Sequence, residues 1–341
     1  GRVSVYVEFV NKTCRIVQGL GRRPMFWADI ALSHPASLKD LPRDLIGLAW
    51  GYEPDAVFGK WCNELRAAGM EPWVCPGTSS WRSIVGRTTE RRENISAAAE
   101  QGFASAGEGV GSARRAPGFL ITDWGDAGHH QQWPVAMIGL AHAAEAAWNP
   151  AGARGWDARA ASLHVFGDES LRLGPWLEEL GDADLELRRT CRVPRREEPG
   201  VRNATAIFTD LMPPVPVPEG WNEEQRGRYV AAPAEAFERA LERIGELAER
   251  SPVLSEPLLR DEVAQTVRYA RFAAEHGSVL RREHVVSGKG MTWEEQAGLL
   301  DQARGVLNEH RRLWGMRNRP GGLDASCEHF ERVIRELSSL G

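Results

Sequence analysis

One pattern repeats four times within the first 150 residues: a short apolar run, a tip carrying tryptophan or carboxylate, then an amphipathic stretch. Arg23 to Ile30 predicts a strand with Trp27-Ala-Asp29 at its end and a short helix through Leu38 to Leu41 behind it. Leu45 to Trp50 predicts a second strand, which opens into Trp50-Gly-Tyr52-Glu53. The helix after it spans Ala56 to Ala68, with Val57, Trp61 and Leu65 at apolar spacing. A third strand, Glu71 to Cys75, runs into Pro76-Gly-Thr-Ser-Ser-Trp81, and a helix over Glu90 to Ala106 follows. In the fourth repeat, Phe119, Leu120 and Ile121 read as a buried strand delivering Asp123, Trp124, Asp126 and His129, ahead of a helix from Val135 to Trp148. Strands alternating with helices predict a parallel α/β sheet. In a parallel barrel the site lies where the strands end. Four units make half of an eight-fold barrel.

The flanking sequence predicts the rest of the organisation. Val3, Tyr6, Phe9, Val10, Cys14 and Val17 follow a helical period, without turn residues or a cap before them. The chain reads as starting inside a helix, as the later part of a longer protein. Beyond Asn149-Pro150, residues from about 220 to 340 are rich in Ala, Glu, Arg and Leu at helical spacing, as in Ala234 to Arg250, Glu262 to His276 and Trp293 to Met316. The expected domains are therefore a barrel portion over 1–150 and a mainly helical domain over 151–341. A Pro-rich, irregular segment is expected near 191–218, and Gly107 to Pro117 reads as an exposed loop.

Bulk properties exclude several functions. A net charge of −5 with short, scattered basic runs gives no basis for nucleic-acid binding. No apolar stretch approaches the roughly 20 residues that span a bilayer. The five cysteines are odd in number, far apart and free of C-x-x-C spacing, so neither a disulfide framework nor a zinc site is indicated. A reducing, cytoplasmic setting is favoured, with secretion of the parent left open because any signal segment would precede Gly1. His129 and His130, being adjacent, cannot both face one site, and no third metal ligand is suggested.

Four runs carry a resemblance: Pro24-Met-Phe-Trp-Ala-Asp29, Ala49-Trp-Gly-Tyr-Glu53, Val74-Cys-Pro-Gly-Thr-Ser-Ser-Trp81 and Thr122-Asp-Trp-Gly-Asp-Ala-Gly-His129. In this order they resemble the second half of the catalytic barrel of family 20 glycoside hydrolases, the β-N-acetylhexosaminidases, in their bacterial and hexosaminidase-D-like branch. The run Trp314-Gly-Met-Arg-Asn-Arg-Pro-Gly-Gly-Leu323 resembles the end of those proteins. The resemblance implies the second half of a (β/α)8 TIM barrel, strands 5 to 8, followed by a mainly α-helical C-terminal domain. It also implies retaining exo-hydrolysis of terminal N-acetylglucosamine or N-acetylgalactosamine, in which the substrate's own acetamide oxygen attacks the anomeric carbon. No cofactor or metal is implied. The partner is an N-acetylhexosamine-containing glycan, and a homodimer is a further possibility. Tryptophans wall such a pocket and carboxylates accept from sugar hydroxyls. By resemblance the substrate-binding candidates are Trp27, Asp29, Trp50, Tyr52, Trp81, Trp124, Asp126 and His129.

Plainer roles compete with these. Asp29 is equally a cap for the helix that follows it, while Trp61, Trp73 and Trp148 read as core. The implied acid pair, an adjacent Asp-Glu at the tip of the fourth barrel strand, is missing from the expected position. Asp168-Glu169 follows the last strand and its helix, and Asp261-Glu262 sits in a helical pattern that reads as solvent-facing. The expected reading is thus a hexosaminidase portion inactive by itself. A non-catalytic carbohydrate-binding module and a structural or oligomerisation fragment are its rivals.

Overall fold

The computed structural model describes residues 2–106, 117–190, 193–194, 199–200, 234–282 and 291–339. Two compact units emerge, interleaved along the chain instead of meeting at residue 150. The first comprises Gly1–Thr78, Glu90–Thr122 and Leu140–Trp156, the second Ser79–Thr89, Asp123–Gly139 and Asp157–Gly341.

The first unit is built on a parallel sheet of four strands in the sequential order β1 (Met25–Trp27), β2 (Ile46–Trp50), β3 (Glu71–Cys75) and β4 (Gly118–Phe119). Parallel neighbours need a crossover between them. The helices supply it. After β1 come α2 (Asp29–Ser33) and a 3-10 turn (Pro35–Asp40). After β2 comes α3 (Phe58–Ala67), and after β3 comes α4 (Thr88–Ala104). Strand β2 lies between β1 and β3, with partners Met25↔Ile46 on one side and Ile46↔Glu71 on the other. Its apolar run is accordingly buried as far as Ala49. Helix α3 buries Phe58, Cys62 and Leu65, one face at the i, i+4, i+7 spacing. Val57 precedes the helix and is exposed, so of the expected Val57-Trp61-Leu65 stripe Leu65 holds its place while Phe58 and Cys62 take the other two. The helix comes so close to β2 that a Cβ on Gly47 would lie 2.6 Å from Leu65 Cδ2.

Helix α1 (Arg2–Gly19) confirms the helical opening, and buries Val10 and Cys14 with Leu38, Leu41, Leu45 and Met70. The fourth strand is shorter and less buried than expected. Only Gly118–Phe119 pairs regularly, and residues 118–121 are half-buried. Among the described residues β4 pairs only with β3, so one backbone edge gains no sheet partner. Single bonds prolong the pairing: Leu120 N–H donates to Val74 O and Thr122 N–H to Pro76 O, each at 3.0 Å. Helix α5 (Trp133–Trp148) follows as expected, yet Trp148, expected in the core, is 91% exposed at its last position. Ala143 and Ala146 meet Ile95, Ala99 and Ala153 in the core instead. Trp61 and Trp73 are half-buried.

The second unit is helical, as the composition of residues 220–340 led us to expect. It contains α6 (Ala158–His164), α7 (Leu173–Gly181), α8 (Leu185–Thr190), α9 (Ala234–Glu249), α10 (Pro257–Arg281), α11 (Trp293–Arg317) and α12 (Leu323–Ser338). Helices α9 to α12 pack successively on one another. Start signals are explicit in the sequence. Thr292 and Glu295 form a reciprocal capping box for α11, with bonds of 3.1 and 3.0 Å, and Pro257 follows the Glu256 cap of α10. Glu262, expected to face solvent, is instead 1% exposed and bound in two places by Arg317, at 2.7 and 2.9 Å. A buried carboxylate needs such a partner, because desolvation without one costs several kcal/mol. Of the Pro-rich segment, Val193–Pro194 and Pro199–Gly200 form a two-residue antiparallel pair. The remainder of it, like Gly107 to Ala116, lies outside the described residues. Among the described residues no helix is long and apolar enough to cross a membrane.

Helix α1 keeps one apolar face outward. Val5, Phe9, Ile16 and, just past its end, Leu20 are all exposed, and spacings of four, seven and four residues align them in one stripe. Such a stripe recruits other surfaces. The chain is expected to self-associate at micromolar concentration, and Phe9→Glu with Ile16→Glu to shift sedimentation toward the monomer; a wild-type chain that sediments as a monomer at all concentrations contradicts this. The corrected place of Trp148 has its own consequence. Trp148→Ala should change unfolding free energy by less than about 0.5 kcal/mol, whereas Leu65→Ala should cost about 2–5 kcal/mol, both read from chemical denaturation.

Candidate functional site

In the first unit the strand ends bring aromatic residues to the surface. Trp27 is the last residue of β1 and 40% exposed, and Trp50 is the last of β2 and half-buried. The Tyr52 ring stacks on Trp50 with centroids 5.1 Å apart and planes inclined by 29°. Asp29 does not cap α2. It is the first residue inside the helix, exposed, with Ala28 at the cap position. There its charge favours the helix N-terminus.

What holds these tips is a residue the sequence reading passed over. Asn94, fully buried in α4, accepts from Gly77 N–H at 3.1 Å and donates to Gly51 O at 3.0 Å and Glu53 O at 2.9 Å. One amide therefore ties the segment after β2, on both sides of Tyr52, to the segment after β3. Asparagine is a poor residue for a helix interior, and its place in the Ala-rich run Asn94-Ile-Ser-Ala-Ala-Ala99 was the available signal.

The second unit holds the other candidates, on the segments Ser79–Thr89 and Asp123–Gly139. Trp81 is 2% exposed, with the Arg87 guanidinium 5.6 Å from its ring centre. It therefore offers no accessible wall, contrary to expectation. Its segment is tightly held: Arg87 Nε donates to Ser79 O at 3.0 Å, and Gly86 N–H donates to Ser83 Oγ at 2.7 Å. Trp124, by contrast, is 39% exposed. Asp123 beside it is exposed and accepts a hydrogen bond from the buried Ser80 hydroxyl. Gln131 Nε2 lies 3.3 Å from Trp124 O, 3.3 Å from His129 Nδ1 and 3.4 Å from Ser80 Oγ. A single amide thus gathers the tryptophan backbone, the imidazole and the serine.

Asp126 departs from the expected geometry. The fourth strand's end was to deliver it, but Asp126 begins a 3-10 turn, Asp126–Gly128, and is exposed. The period-two rule does not extend into such a turn. His129 follows with φ of 54°, half-buried, and its ring lies edge-on to Trp314 at 6.2 Å. Burial lowers the His129 pKa, and Asp123 acts against that shift. Neighbouring His130 is 1% exposed and packs against Phe330 of α12.

Neither Asp-Glu dipeptide stands at the end of a strand of the parallel sheet. Asp168 accepts from the backbone of Ser170, Arg172 and Leu173 at 3.0, 2.9 and 2.7 Å and from the Ser170 hydroxyl at 2.6 Å. Burial alone would raise its pKa, but these bonds outweigh it and leave the carboxyl lower than usual. Such a carboxylate is a poor proton donor. Asp261 and Glu262 lie in α10 and pair with Arg312 and Arg317. Among the described residues no group of His, Cys, Asp and Glu is placed to hold a metal ion.

Comparison with known proteins finds no family model that matches the chain and no matching curated protein.

In the first unit the exposed Trp27 indole suits the apolar face of a ring; in the second the exposed Trp124 indole does so, and Asp123 and Asp126 suit hydroxyl donors. Removing the Asn94 amide tests the support of the first unit's tips. Asn94→Ala strands buried backbone groups and is expected to cost about 2–4 kcal/mol, together with a changed near-ultraviolet signal from the Trp50–Tyr52 stack. A variant with wild-type melting and an unchanged signal would show that the clamp is dispensable.

Proposed function

We propose that this chain forms part of the substrate-binding portion of a retaining exo-β-N-acetylhexosaminidase, with its sheet as strands 5 to 8 of a (β/α)8 barrel. The observation that carries this reading is the sheet: four parallel strands in sequential order, the first two ending in exposed or half-exposed Trp27, Trp50 and Tyr52. In barrels of this kind ligands meet the C-terminal strand ends. The motifs Trp27-Ala-Asp29, Trp50-Gly-Tyr52-Glu53 and Asp123-Trp-Gly-Asp126 supply the aromatic and acidic types that a hexosamine ring requires.

In the proposed reaction the acetamide oxygen attacks the anomeric carbon, and a general acid protonates the leaving oxygen. Tyr52 is the candidate to hold the acetamide, with Trp50 stacked behind it. In the first unit Trp27 is a further candidate; in the second, taken by itself, Trp124 is a candidate wall and Asp123, Asp126 and His129 are candidates for hydroxyls. Trp81 supports its segment from within. Neither Asp-Glu dipeptide stands at a strand end, so the acid and the orienting carboxylate are not assigned to any of the described residues.

Binding without turnover is therefore expected of this chain. Titration with N-acetylglucosamine and N-acetylgalactosamine, followed by tryptophan fluorescence, should show millimolar affinity, about −4 kcal/mol, weakened at least tenfold in Trp50→Ala. A chromogenic N-acetylglucosaminide should remain uncleaved, since a missing general acid costs about 10²- to 10⁴-fold. Absence of binding for both sugars, or identical binding by the variant, defeats the proposal. Cleavage that is lost on changing Asp126 or Asp168 would relocate the acid.

A further inference from the structure

The segment that carries Trp124, Asp126 and His129 ends in a buried imidazole. His130 Nε2 lies 2.9 Å from Ser326 O. A carbonyl oxygen only accepts, so Nε2 carries the proton and donates. The ring sits among aromatic and imidazole groups from three helices. From α10 comes Tyr269 at 6.2 Å, from α11 His310 at 6.1 Å, and from α12 His329 at 5.0 Å and Phe330 at 5.3 Å between ring centres. Ser326 also meets His310, whose Nε2 lies 2.8 Å from the serine hydroxyl. One residue of α12 thus holds two histidines, through its carbonyl and its side chain.

Backbone fit reinforces the contact. Gly128, two residues before His130, has φ of +104°, and a Cβ there would lie 3.0 Å from Ser326 Cα and 3.2 Å from Ala325 O. The turn and α12 are in direct backbone contact, and Gly128 permits it.

We propose that His130 is the positioning residue that docks the Asp123–Gln132 segment on helices α10 to α12, and that it does so only while the buried imidazoles of His130 and His310 are uncharged. Around His130 the titratable groups are His129 on its own segment, Tyr269 on α10, His310 on α11 and His329 on α12. The charges acting one step further out are Arg311 on His310 and Asp123 on His129. Burial pushes His130 well below its ordinary value, and His329, His310 and His129 press in the same direction; only the Ser326 bond opposes. Burial likewise brings His310 down to about 4. A folded-state pKa below the unfolded one means that docking is complete above about pH 6.5 and is lost as pH falls toward the folded-state values. His130 and His310 charging together would make the loss steep.

The proposal stands whatever ligand the segment binds. Hydrogen exchange read by mass spectrometry on the 341-residue chain tests it, comparing peptides spanning 123–132 and 322–330 between pH 7.5 and pH 4.5 with exchange times corrected for intrinsic rate. Protection of both should fall together, at least tenfold, while the β2–β3 peptides hold theirs. His130→Gln keeps a donor for Ser326 O without a titrating group, and its loss of protection should be shallower by about one proton. Unchanged protection in the wild type across the range, or the same slope in the variant, overturns the proposal. Should the variant not fold, histidine proton NMR of the wild type decides. A cluster imidazole titrating well below the usual range, with loss of the α12 signals at the same pH, supports it, and ordinary titration without that loss refutes it.

Discussion

The strand ends of the first unit depend on one buried carboxamide. Segments that follow parallel strands are irregular, and their backbone groups must still find partners once buried. Asn94 meets three of those needs from a rigid helix, and it does so for two segments at once. Only a carboxamide combines two donors with an acceptor on so short a side chain. Aspartate would lose the donors and glutamine would overreach. The stacking of Tyr52 on Trp50 follows from that restraint, because Tyr52 lies between the two carbonyls that Asn94 holds, those of Gly51 and Glu53.

Much of this fold was legible from hydrophobic period. The third strand, the helices after β2, β3 and β4, and the long helices of the C-terminal half fall where spacing puts them, since each is long or strongly patterned. The misreadings share a cause. Trp148, Trp81 and Glu262 were assigned by residue type, and type does not fix which side of an element a residue occupies. Trp148 ends α5, where a side chain can leave the core at no cost to its neighbours. Glu262 sits in the same helical pattern as its exposed neighbours, but Arg317, 55 positions away, lets it be buried. Long-range charge pairing leaves no local trace.

The candidate site was legible to a similar depth. The aromatic tips of β1 and β2 could be placed because a strand's last residue can be found from its apolar run. The geometry of Trp124 and Asp126 could not. Gly125 precedes a 3-10 turn that ends at Gly128, and the strand's alternation stops before it. Ser80 and Gln131 escaped notice because their roles are to hold Asp123, His129 and the Trp124 backbone, and supporting side chains announce themselves only through their partners.

Backbone strain is unevenly distributed, and its distribution is an argument in itself. Among the described residues the non-glycine positions with positive φ are Ser79, Arg82, His129 and Leu171. Two of them lie in the segment containing Trp81, and a third closes the turn after Trp124. Each such position costs on the order of 1–3 kcal/mol and persists only where surrounding bonds over-determine it. Around Ser79 and His129 such bonds are present: Arg87 on the Ser79 carbonyl, Ser80 on Asp123, and Gln131 on both Trp124 and His129. A chain selected for stability alone would place glycine or asparagine there. Strained Ser79 and His129 are thus braced by the buried polar side chains of Arg87, Ser80 and Gln131, beside exposed Asp123 and Trp124.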